Sequence, residues 1–370
     1  MNAVIILPTY NERENITTML EAVTEVIASI PHIAFKILVV DDTSPDGTKT
    51  AVLAFQKTHK NVYILSGKKE GLGKALLAGM TYAVDTLNAD MLIQMDADMS
   101  HDPTVLPQFI EKLQSGYDFA VGSRYIKGGS IPENWGLHRK IYSVIGNTFV
   151  RFGLGKTTVH DWTGGYRAFY TSYFQKAKVV VSPYSGYVFQ IAFLYTSMQN
   201  GAKVAEVPIR FIDRRFGRSK IAPLEYILSI ISFVLSSRYI ALMKGSFPRF
   251  AVVGAIGFLI NTVILEFLVK SGFHPAIGSA TGAEFAIVSN FILNNTWTFH
   301  HRKIRGLALL PKFVQFNVAA FGGLSIQSGT VFIGTHITGL DTYFLWYMLG
   351  VSIGLVWNYL MYSRVIWKSK

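Results

Sequence analysis

The sequence predicts two architectures in one chain: an α/β domain on a mostly parallel sheet, followed by an all-α bundle of membrane helices. Over the first 125 residues, short runs rich in Val and Ile alternate with helical stretches, as in a parallel sheet with helices on both faces. The last third contains several apolar segments of about 20 residues, long enough to cross a bilayer. Half of all residues are hydrophobic and only 16% are charged, which is less charge than most soluble enzymes carry.

The alternating region contains strands that are apolar throughout, so both of their faces are expected to be buried. The strands are predicted at 3–7, 36–40, 62–65, 91–95 and 119–122, and the helices at 14–30, 48–58, 74–87 and 103–114. Parallel sheets bind ligands at the carboxyl ends of their strands. Acidic residues stand at three such ends: Glu12, Asp41 with Asp42, and Asp96 with Asp98.

Four membrane spans are predicted, at about 250–269, 276–299, 313–337 and 343–367. Basic residues concentrate in the loops on one side, and the two loops on the other side contain Lys270 as their only basic residue. Because basic loops stay in the cytoplasm, both ends of this domain are expected on the cytoplasmic face. The first residues lack the basic region of a signal peptide, so the α/β domain is expected there too. No internal repeat is evident among the spans.

The apolar segment at 221–243 has two interpretations. One is a fifth span, but the charge-free run from Tyr226 to Ser237 is short for a span, and a fifth crossing would move the basic loop at 300–312 to the opposite side. The preferred interpretation is one or two amphipathic helices on the cytoplasmic surface. The predicted organisation is therefore an α/β catalytic domain at 1–220, interface helices at 221–245 and a membrane domain at 246–370.

Composition excludes several classes of function. The net charge is +12, and the segment 244–370 holds ten of the 35 basic residues but only three of the 23 acidic ones. No basic stripe is interleaved with aromatic residues, so nucleic acid is not an expected partner. The chain has no cysteine, which excludes disulfides, thiolate catalysis and zinc–thiolate sites.

Asp96, Ala97 and Asp98 directly follow the predicted strand at 91–95. Two carboxylates two residues apart on an extended chain point the same way, so both can bind one cation. Their oxygen atoms favour Mg²⁺ or Mn²⁺, and such an ion neutralises a diphosphate as it leaves. The alternative is a solvated turn, but the acidic residues at the neighbouring strand ends favour the metal site.

The first two strands end in polar motifs, Pro8-Thr9-Tyr10-Asn11-Glu12 and Val40-Asp41-Asp42. A carboxylate at a strand end can accept hydrogen bonds from ribose hydroxyls or from the N–H groups of a base, and the Tyr10 ring offers a surface for stacking. Helix capping by Asn11 and Glu12 is an alternative that does not exclude the first.

Basic side chains form a further group. Arginine binds phosphate oxygens in a bidentate way, so a cluster of arginines beside a membrane segment predicts a site for a lipid phosphate. Taken singly, each has equal odds of being a solvated surface residue. The group comprises Arg124, Arg139, Arg167, Arg214, Arg218 and Lys220.

Polar residues inside the predicted spans need a partner, because they are costly in a membrane. Hydrogen bonds between helices are preferred over a path for a polar headgroup. The residues are Asn261, Glu266, Glu284, Asn290, Asn294 and Asn295.

Several motifs together resemble the family 2 glycosyltransferases with a GT-A fold, and within them the dolichol-phosphate (polyprenyl-phosphate) mannose synthases. They include the motifs at 8–12 and 95–98 and the sequences Val40–Gly47, Gly122–Tyr125 and Thr163–Arg167. The stretch 128–136 and Arg139 resemble that subgroup in particular. Residues 247–370 resemble the GtrA-like four-span domain, through the motifs at 290–291 and 294–299.

The resemblance implies inverting, metal-dependent transfer of mannose from GDP-mannose to dolichyl or polyprenyl phosphate. It implies Asp96 and Asp98 as ligands of Mg²⁺ or Mn²⁺, and Asp98, Arg124 and Arg139 as catalytic residues. Some relatives have a Gln ligand where Ser100 stands, so a third side-chain ligand is not expected. The implied donor-binding residues are Pro8, Tyr10, Glu12, Val40, Asp42, Asp96, Ala97, Asp98, Arg124, Arg214 and Lys220. The implied ligands of the acceptor phosphate are Arg124, Arg139 and Ser143.

The acceptor class bears on the mechanism. A phosphate monoester has its second pKa near 6 and is largely a dianion at pH 7, so no side chain is required as a base. Three alternatives stay open at this point. The donor could be UDP-glucose, the membrane domain could translocate the lipid-linked sugar, or it could only anchor the catalytic domain; the last is preferred for the spans.

Overall fold

The computed structural model of the chain describes residues 1–213 and 224–368. It divides into two compact units, Met1–Arg238 and Tyr239–Lys370. The first unit contains the predicted α/β domain, and the second contains the predicted membrane domain.

The first unit is built on a seven-stranded sheet in the order β3-β2-β1-β4-β6-β5-β7. Strand β6 runs antiparallel to β4 and β5, and the other neighbours are parallel. The five strands predicted from sequence are confirmed, and two more complete the sheet. The strands are β1 (Asn2–Thr9), β2 (Ala34–Asp41), β3 (Val62–Ser66), β4 (Met91–Gln94), β5 (Phe119–Ser123), β6 (Arg167–Tyr170) and β7 (Val204–Pro208).

Helices cover both faces of this sheet, as the apolar strands require. Successive side chains of a strand point to opposite faces: Val4 and Ile6 lie in one core, and Ala3, Ile5 and Leu7 lie in the other. A 3₁₀ turn at Pro103–Val105 precedes the fourth helix. The helices are α1 (Arg13–Ala28), α2 (Thr48–Gln56), α3 (Leu72–Asp85), α4 (Leu106–Gln114), α5 (Leu137–Gly153), α6 (Thr171–Val181) and α7 (Gly186–Gln199).

Five helices among the described residues are long and apolar enough to cross a membrane, one more than the four spans predicted. Four of them correspond to those spans. The additional one is α8, a single helix over the described part of the segment for which we expected one or two surface helices. It continues past the charge at Arg238, so the short charge-free run did not set its length. The helices are α8 (Leu224–Lys244), α9 (Phe247–Lys270), α10 (Pro275–Leu293), α11 (Leu309–Thr338) and α12 (Tyr343–Met361).

Helix α8 has one face on the catalytic unit. Phe233 and Val234 are buried in the core that includes residues of α3, α5, α6 and α7. Val234 lies against Gly153 of α5, and the rings of Phe233 and Tyr184 lie 5.2 Å apart, edge to face. Leu228 and Leu235 are more than half exposed. The helix is therefore packed on one side and exposes an apolar surface on another, which is the pattern of a helix at a membrane surface.

The membrane unit contains an internal repeat that was not evident from the sequence. The hairpin α9–α10 has its counterpart in α11–α12: an asparagine stands nine residues before an aromatic residue in both, Asn290 before Phe299 and Asn358 before Trp367. In each half, a glycine of the first helix lies against an asparagine of the second: Gly257 against Asn290, and Gly323 against Asn358. Each second helix ends in a π-helical turn, Asn294–Thr298 in one half and Tyr362–Ile366 in the other.

The two halves meet through equivalent residues. The aromatic residues that follow the π-helical turns, Phe299 and Trp367, stack with ring centroids 4.9 Å apart and planes 17° apart. In a two-fold arrangement, residues near the axis contact their own counterparts. The stack therefore fits two hairpins that run in the same direction around an approximate two-fold axis.

Polar residues in this unit follow the expected pattern in part. Asn295 Nδ2 donates to the carbonyl oxygen of Ile304. Its Oδ1 accepts from the N–H of Ile304 and from Trp367 Nε1, which confirms an interhelical role. Within the described residues, the Oδ1 atoms of Asn261, Asn290 and Asn294 are buried without a hydrogen-bond donor. The side chains of Asn261 and Asn290 lie against Gly282 and Gly257.

Candidate active site

The carboxylates predicted to bind a metal lie where β4 ends. Asp98 is 4% exposed, and its Oδ1 accepts hydrogen bonds from the main-chain N–H and the hydroxyl of Ser100, at 3.1 and 2.5 Å. Asp96 is more open, with a side chain that is 32% exposed. Its N–H donates to His101 Nδ1 at 2.9 Å. Ser100 therefore orients Asp98, and His101 orients the main chain at Asp96.

The surroundings of Asp96 fit a cation. Gly165 lies beside this carboxylate, since a Cβ atom built on it would be 3.4 Å from Asp96 Oδ1. Among the described residues, no group of three or more acidic or histidine side chains could hold a metal. Two carboxylates are enough for Mg²⁺ or Mn²⁺ when a substrate phosphate supplies further oxygens.

The loops after β1 and β2 are joined to each other. The N–H of Asn11 donates to the Ser44 hydroxyl, and the N–H of Glu12 donates to the Thr48 hydroxyl, both at 3.0 Å. Asp41 is fully buried and accepts from the N–H and hydroxyl of Ser44. Asp41 therefore shapes this loop rather than binding a ligand.

The predicted donor-binding residues of these strands lie together. Pro8 and Val40 are paired in the sheet register, so the ends of β1 and β2 are adjacent. Tyr10 is 38% exposed, and Lys69 Nζ lies 3.4 Å from the centre of its ring. Glu12 is the N-cap residue of α1, but it caps the helix through its carbonyl oxygen and not through its side chain. Its carboxylate accepts from Asn15 Nδ2 at 2.8 Å, and its role in donor binding stays a prediction.

Asp42 lies at the same edge of the sheet, and its pKa is raised. Asp42 is 8% exposed. Burial raises the pKa of Asp42 above its usual value, and the charges of Asp41 and Glu70 raise it further, against a smaller opposing effect of Lys69. A carboxylate held in this way gains from a ligand that donates hydrogen bonds to it.

Arg124 follows β5 and is held by a buried carboxylate. Its Nε donates to Asp161 Oδ2 at 2.7 Å and its Nη2 to Asp161 Oδ1 at 2.8 Å, a bidentate pair. Nη2 also donates to the Thr163 hydroxyl at 2.9 Å. Because two of its nitrogens bond to Asp161, Nη1 is the nitrogen best placed to donate to a phosphate.

A chain of hydrogen bonds connects Arg124 with Ser143 on α5. Asn147 Nδ2 lies 3.3 Å from the Thr163 hydroxyl and 3.4 Å from the Tyr125 hydroxyl. The hydroxyls of Tyr125 and Ser143 are 2.5 Å apart. The structure therefore brings together two of the three residues predicted to bind the acceptor phosphate.

Arg139 lies one helical turn before Ser143 on α5. Its guanidinium stacks over the Trp135 ring, with Cζ 3.7 Å from the ring centre, and its Nη1 lies 3.6 Å from Asp213 Oδ1. Trp135 Nε1 donates to the same oxygen at 3.3 Å. Stacking and ion pairing thus hold Arg139 on the side of the helix that carries Ser143.

The prediction of a phosphate-binding role is wrong for Arg167. This residue is fully buried and donates to the carbonyl oxygens of Gly164, Gln190 and Trp162 at 2.6 to 2.9 Å. Burial lowers its pKa to about 9, although the charge of Asp161 opposes the shift. The predicted Arg214, Arg218 and Lys220 lie outside the described residues.

Sequence reading missed the residues that support the predicted ones. Asp161, Asn147 and Tyr125 form the network around Arg124, and Trp135 supports Arg139. A signal for Asp161 existed, because Asp161-Trp162 directly precedes the motif at 163–167. The signal was overlooked because an acidic residue in a loop is usually solvated.

Two family descriptions match this chain. Residues 4–177 match the glycosyl transferase family 2 domain, and residues 249–367 match the GtrA/DPMS transmembrane domain. The first covers the strands and loops that form the site, and the second covers the repeated hairpins.

Three characterised relatives are similar to this chain. A dolichol-phosphate mannosyltransferase of Pyrococcus furiosus is 29% identical over 99% of both chains. A polyprenol monophosphomannose synthase of Mycolicibacterium smegmatis is 39% identical over 59% of this chain and 80% of its own length. An undecaprenyl-phosphate mannosyltransferase of Micrococcus luteus is 34% identical over 60% of this chain and 88% of its own length.

Proposed function

This chain belongs to the family 2 glycosyltransferases, in the group of polyprenyl-phosphate mannosyltransferases, and on that basis we propose that it transfers mannose from GDP-mannose to a polyprenyl phosphate. It is a membrane-bound glycosyltransferase with a GT-A fold. One observation carries the proposal most directly: the loop 161–167 borders both parts of the site. Gly165 lies beside Asp96, and Thr163 bonds to Arg124, so the carboxylates and the phosphate-binding arginine share one edge of the sheet.

In the proposed reaction, an oxygen of the lipid phosphate attacks the anomeric carbon of mannose from the side opposite the leaving group. The bond between that carbon and the β-phosphate oxygen of GDP-mannose breaks, and the electron pair stays on the GDP. The products are polyprenyl-phosphate mannose with inverted configuration and GDP. The acceptor phosphate reacts as a dianion near pH 7, so no side chain has to remove a proton.

Each group of site residues has its own proposed role. Pro8, Tyr10, Glu12, Val40 and Asp42 would bind the nucleoside, and Asp96 and Asp98 would hold Mg²⁺ or Mn²⁺. When bound, such an ion supplies positive charge to the leaving diphosphate. Arg124, Arg139 and Ser143 would hold the acceptor phosphate, and their fixed orientation lowers the entropic cost of bringing the reactants together. Arg214 and Lys220 stay predictions as donor ligands.

We place the catalytic unit at the cytoplasmic face of the membrane, because the basic loops of the membrane unit are on the side of both its ends. Helix α5 supports a location at the membrane surface. It exposes a continuous apolar stripe beside Arg139 and Ser143, and a stripe of this kind inserts into the headgroup region. The stripe consists of Leu137, Ile141, Tyr142, Ile145, Phe149 and Phe152, which are 39% to 74% exposed.

The organisation 1–220, 221–245 and 246–370 is part of the proposal. The packing of Phe233 and Val234 into the catalytic unit favours α8 as a surface helix over a fifth crossing. The hairpins of the membrane unit would then anchor and orient the catalytic unit at its lipid substrate.

The test is transfer of radiolabelled mannose from GDP-mannose to polyprenyl phosphate by the purified full-length protein, with and without Mg²⁺ or Mn²⁺. We expect metal-dependent label in the lipid phase, reduced by at least about 10³-fold in Asp98→Ala. The matched control is Asp102→Asn, because Asp102 only caps a 3₁₀ turn by accepting from Thr104, and an amide oxygen preserves that bond. Label from UDP-glucose but not from GDP-mannose would replace the donor, and no label from either would overturn the proposal.

A further inference from the structure

Asp161 is an extensively bonded carboxylate beside Arg124. It is fully buried and accepts five hydrogen bonds, three from Arg124 and one each from the N–H groups of Thr163 and Gly164, at 2.7 to 3.3 Å. A neutral aspartic acid would lose part of this set, since its protonated oxygen becomes a donor. The surroundings thus require an anion at this position.

Arg167 completes the arrangement from the opposite side of the same loop. Asp161 binds N–H groups of the loop, whereas Arg167 binds its carbonyl groups at Trp162 and Gly164. The main chain of Gly164 is therefore held on both sides, by an anion and by a cation. The next residue is Gly165, the glycine that lies beside Asp96.

From this geometry we propose that Asp161 is a positioning residue for the transfer reaction. It acts as a permanent anion that fixes the direction of the Arg124 guanidinium, and together with Arg167 it sets the shape of the loop 161–167. It does not exchange a proton with the substrates, because both of its oxygens are occupied. The inference rests on the proposed function for the identity of the acceptor, the lipid phosphate that Arg124 faces.

The acidity of the pair agrees with this role. Burial alone would raise the pKa of Asp161, but the charge of Arg124 and the hydrogen bonds outweigh burial and lower the pKa below its usual value. Asp161 therefore stays ionised throughout the pH range in which the acceptor phosphate loses its second proton. A general base would need a pKa closer to the working pH.

The role predicts a particular coupling between two residues. If Asp161 works through Arg124, then Asp161→Asn and Arg124→Gln should each lower kcat/KM for the acceptor by about 10²-fold. The double variant should be no slower than the slower single variant, because one function cannot be lost twice. In Asp161→Asn the KM for GDP-mannose should stay close to the wild-type value, since Asp161 does not border the nucleoside loops.

Glu206→Gln is the matched control. Glu206 accepts from the N–H groups of His160 and Asp161 at 2.9 and 3.1 Å, so it supports the same stretch of main chain but does not touch Arg124. We expect its transfer rate to stay within about threefold of wild type. An equal loss in Glu206→Gln and Asp161→Asn would overturn the inference, as would additive losses in the Asp161–Arg124 cycle.

A replacement variant and a binding measurement complete the test. If Asp161→Asn does not fold, Thr163→Val replaces it, because this variant removes the hydroxyl that accepts from Arg124 and, at 3.3 Å, from Asn147, and leaves the Asp161 carboxylate in place. Its expected loss is about tenfold and again not additive with Arg124→Gln; additivity overturns the inference. Binding of a short-chain polyprenyl phosphate to each variant is measured without donor. A wild-type protein that transfers nothing would overturn the proposed function, whereas equal lipid binding by wild type and Asp161→Asn would overturn the positioning role alone.

Discussion

One place in the catalytic unit and one repeated place in the membrane unit accommodate buried polar groups in different ways. In the catalytic unit, Asp161 and Arg167 are fully buried and engage many hydrogen bonds. In the membrane unit, Asn290 and Asn358 lie against glycines, and the Oδ1 atom of each is buried without a donor among the described residues. The first arrangement depends on particular charged groups, and the second depends on close fit between helices. The catalytic unit thus contains hydrogen-bonded charged residues, and the membrane unit contains a packing contact that occurs in both of its hairpins.

The largest effect should come from Arg167→Met, which tests the charged side of this comparison. The variant leaves the carbonyl oxygens of Gly164, Gln190 and Trp162 without the donor that Arg167 supplies. We expect these buried, unsatisfied oxygens to lower the free energy of unfolding of the catalytic unit by about 3–5 kcal/mol. Thermal unfolding of the purified protein would measure this. Arg151→Met serves as the control, because Arg151 is on the surface and donates to one carbonyl; a similar loss there would contradict the comparison.

Substitutions in the membrane unit should have intermediate effects, and the two halves should respond alike. Gly257→Leu and Gly323→Leu each force a side chain into an asparagine, and overpacking of this kind costs about 1–3 kcal/mol. We expect similar losses of thermal stability in detergent. Transfer to a short-chain, soluble acceptor should stay within about threefold of wild type.

Two glycines provide internal controls for the membrane unit. At Gly254 on α9 and Gly329 on α11, an added Cβ atom would have no described neighbour within 4 Å, so leucine fits there without displacing a side chain. Gly254→Leu and Gly329→Leu should therefore leave the melting temperature unchanged. If only one of the two buried glycines proved sensitive, the equivalence of the hairpins would be refuted.

The smallest expected effect concerns the pH dependence of nucleotide binding. The pKa of Asp42 is raised, so as the pH falls this carboxyl takes up a proton earlier than an ordinary aspartate. In the proposed role of Asp42, protonation removes a hydrogen-bond acceptor for the nucleoside, so GDP affinity should weaken a few-fold between pH 7 and about pH 5. Calorimetric titration with GDP would measure this. Asp42→Asn should bind more weakly but with little change over this range; an unchanged pH dependence in that variant would assign the effect to another group.

The sequence predicted the first five strands and four helices within about two residues at most ends, because their apolar runs have clear periods. It predicted the carboxylates at 96 and 98 because they follow a strand. It did not predict β6, which is four residues long and antiparallel. Arg167 was misjudged because arginine is rarely buried, and only the fold shows the carbonyl groups around it.

The fit between the membrane hairpins was also hidden from sequence reading. Their similarity lies in the spacing of glycine, asparagine and aromatic residues, while most of the remaining residues are generic apolar ones that differ between the halves. The length of α8 was misjudged for a related reason, because a charged residue such as Arg238 can stay within a helix when it has polar surroundings at the surface.

The stack of Phe299 on Trp367 has a consequence for the whole membrane unit. A contact between equivalent positions is what two identical subunits make across a symmetry axis. The four-helix domain thus has the organisation of a dimer of helical hairpins joined in one chain. Two joined hairpins need not have the same sequence, so one half can make a specialised contact with lipid while the other keeps the shared packing.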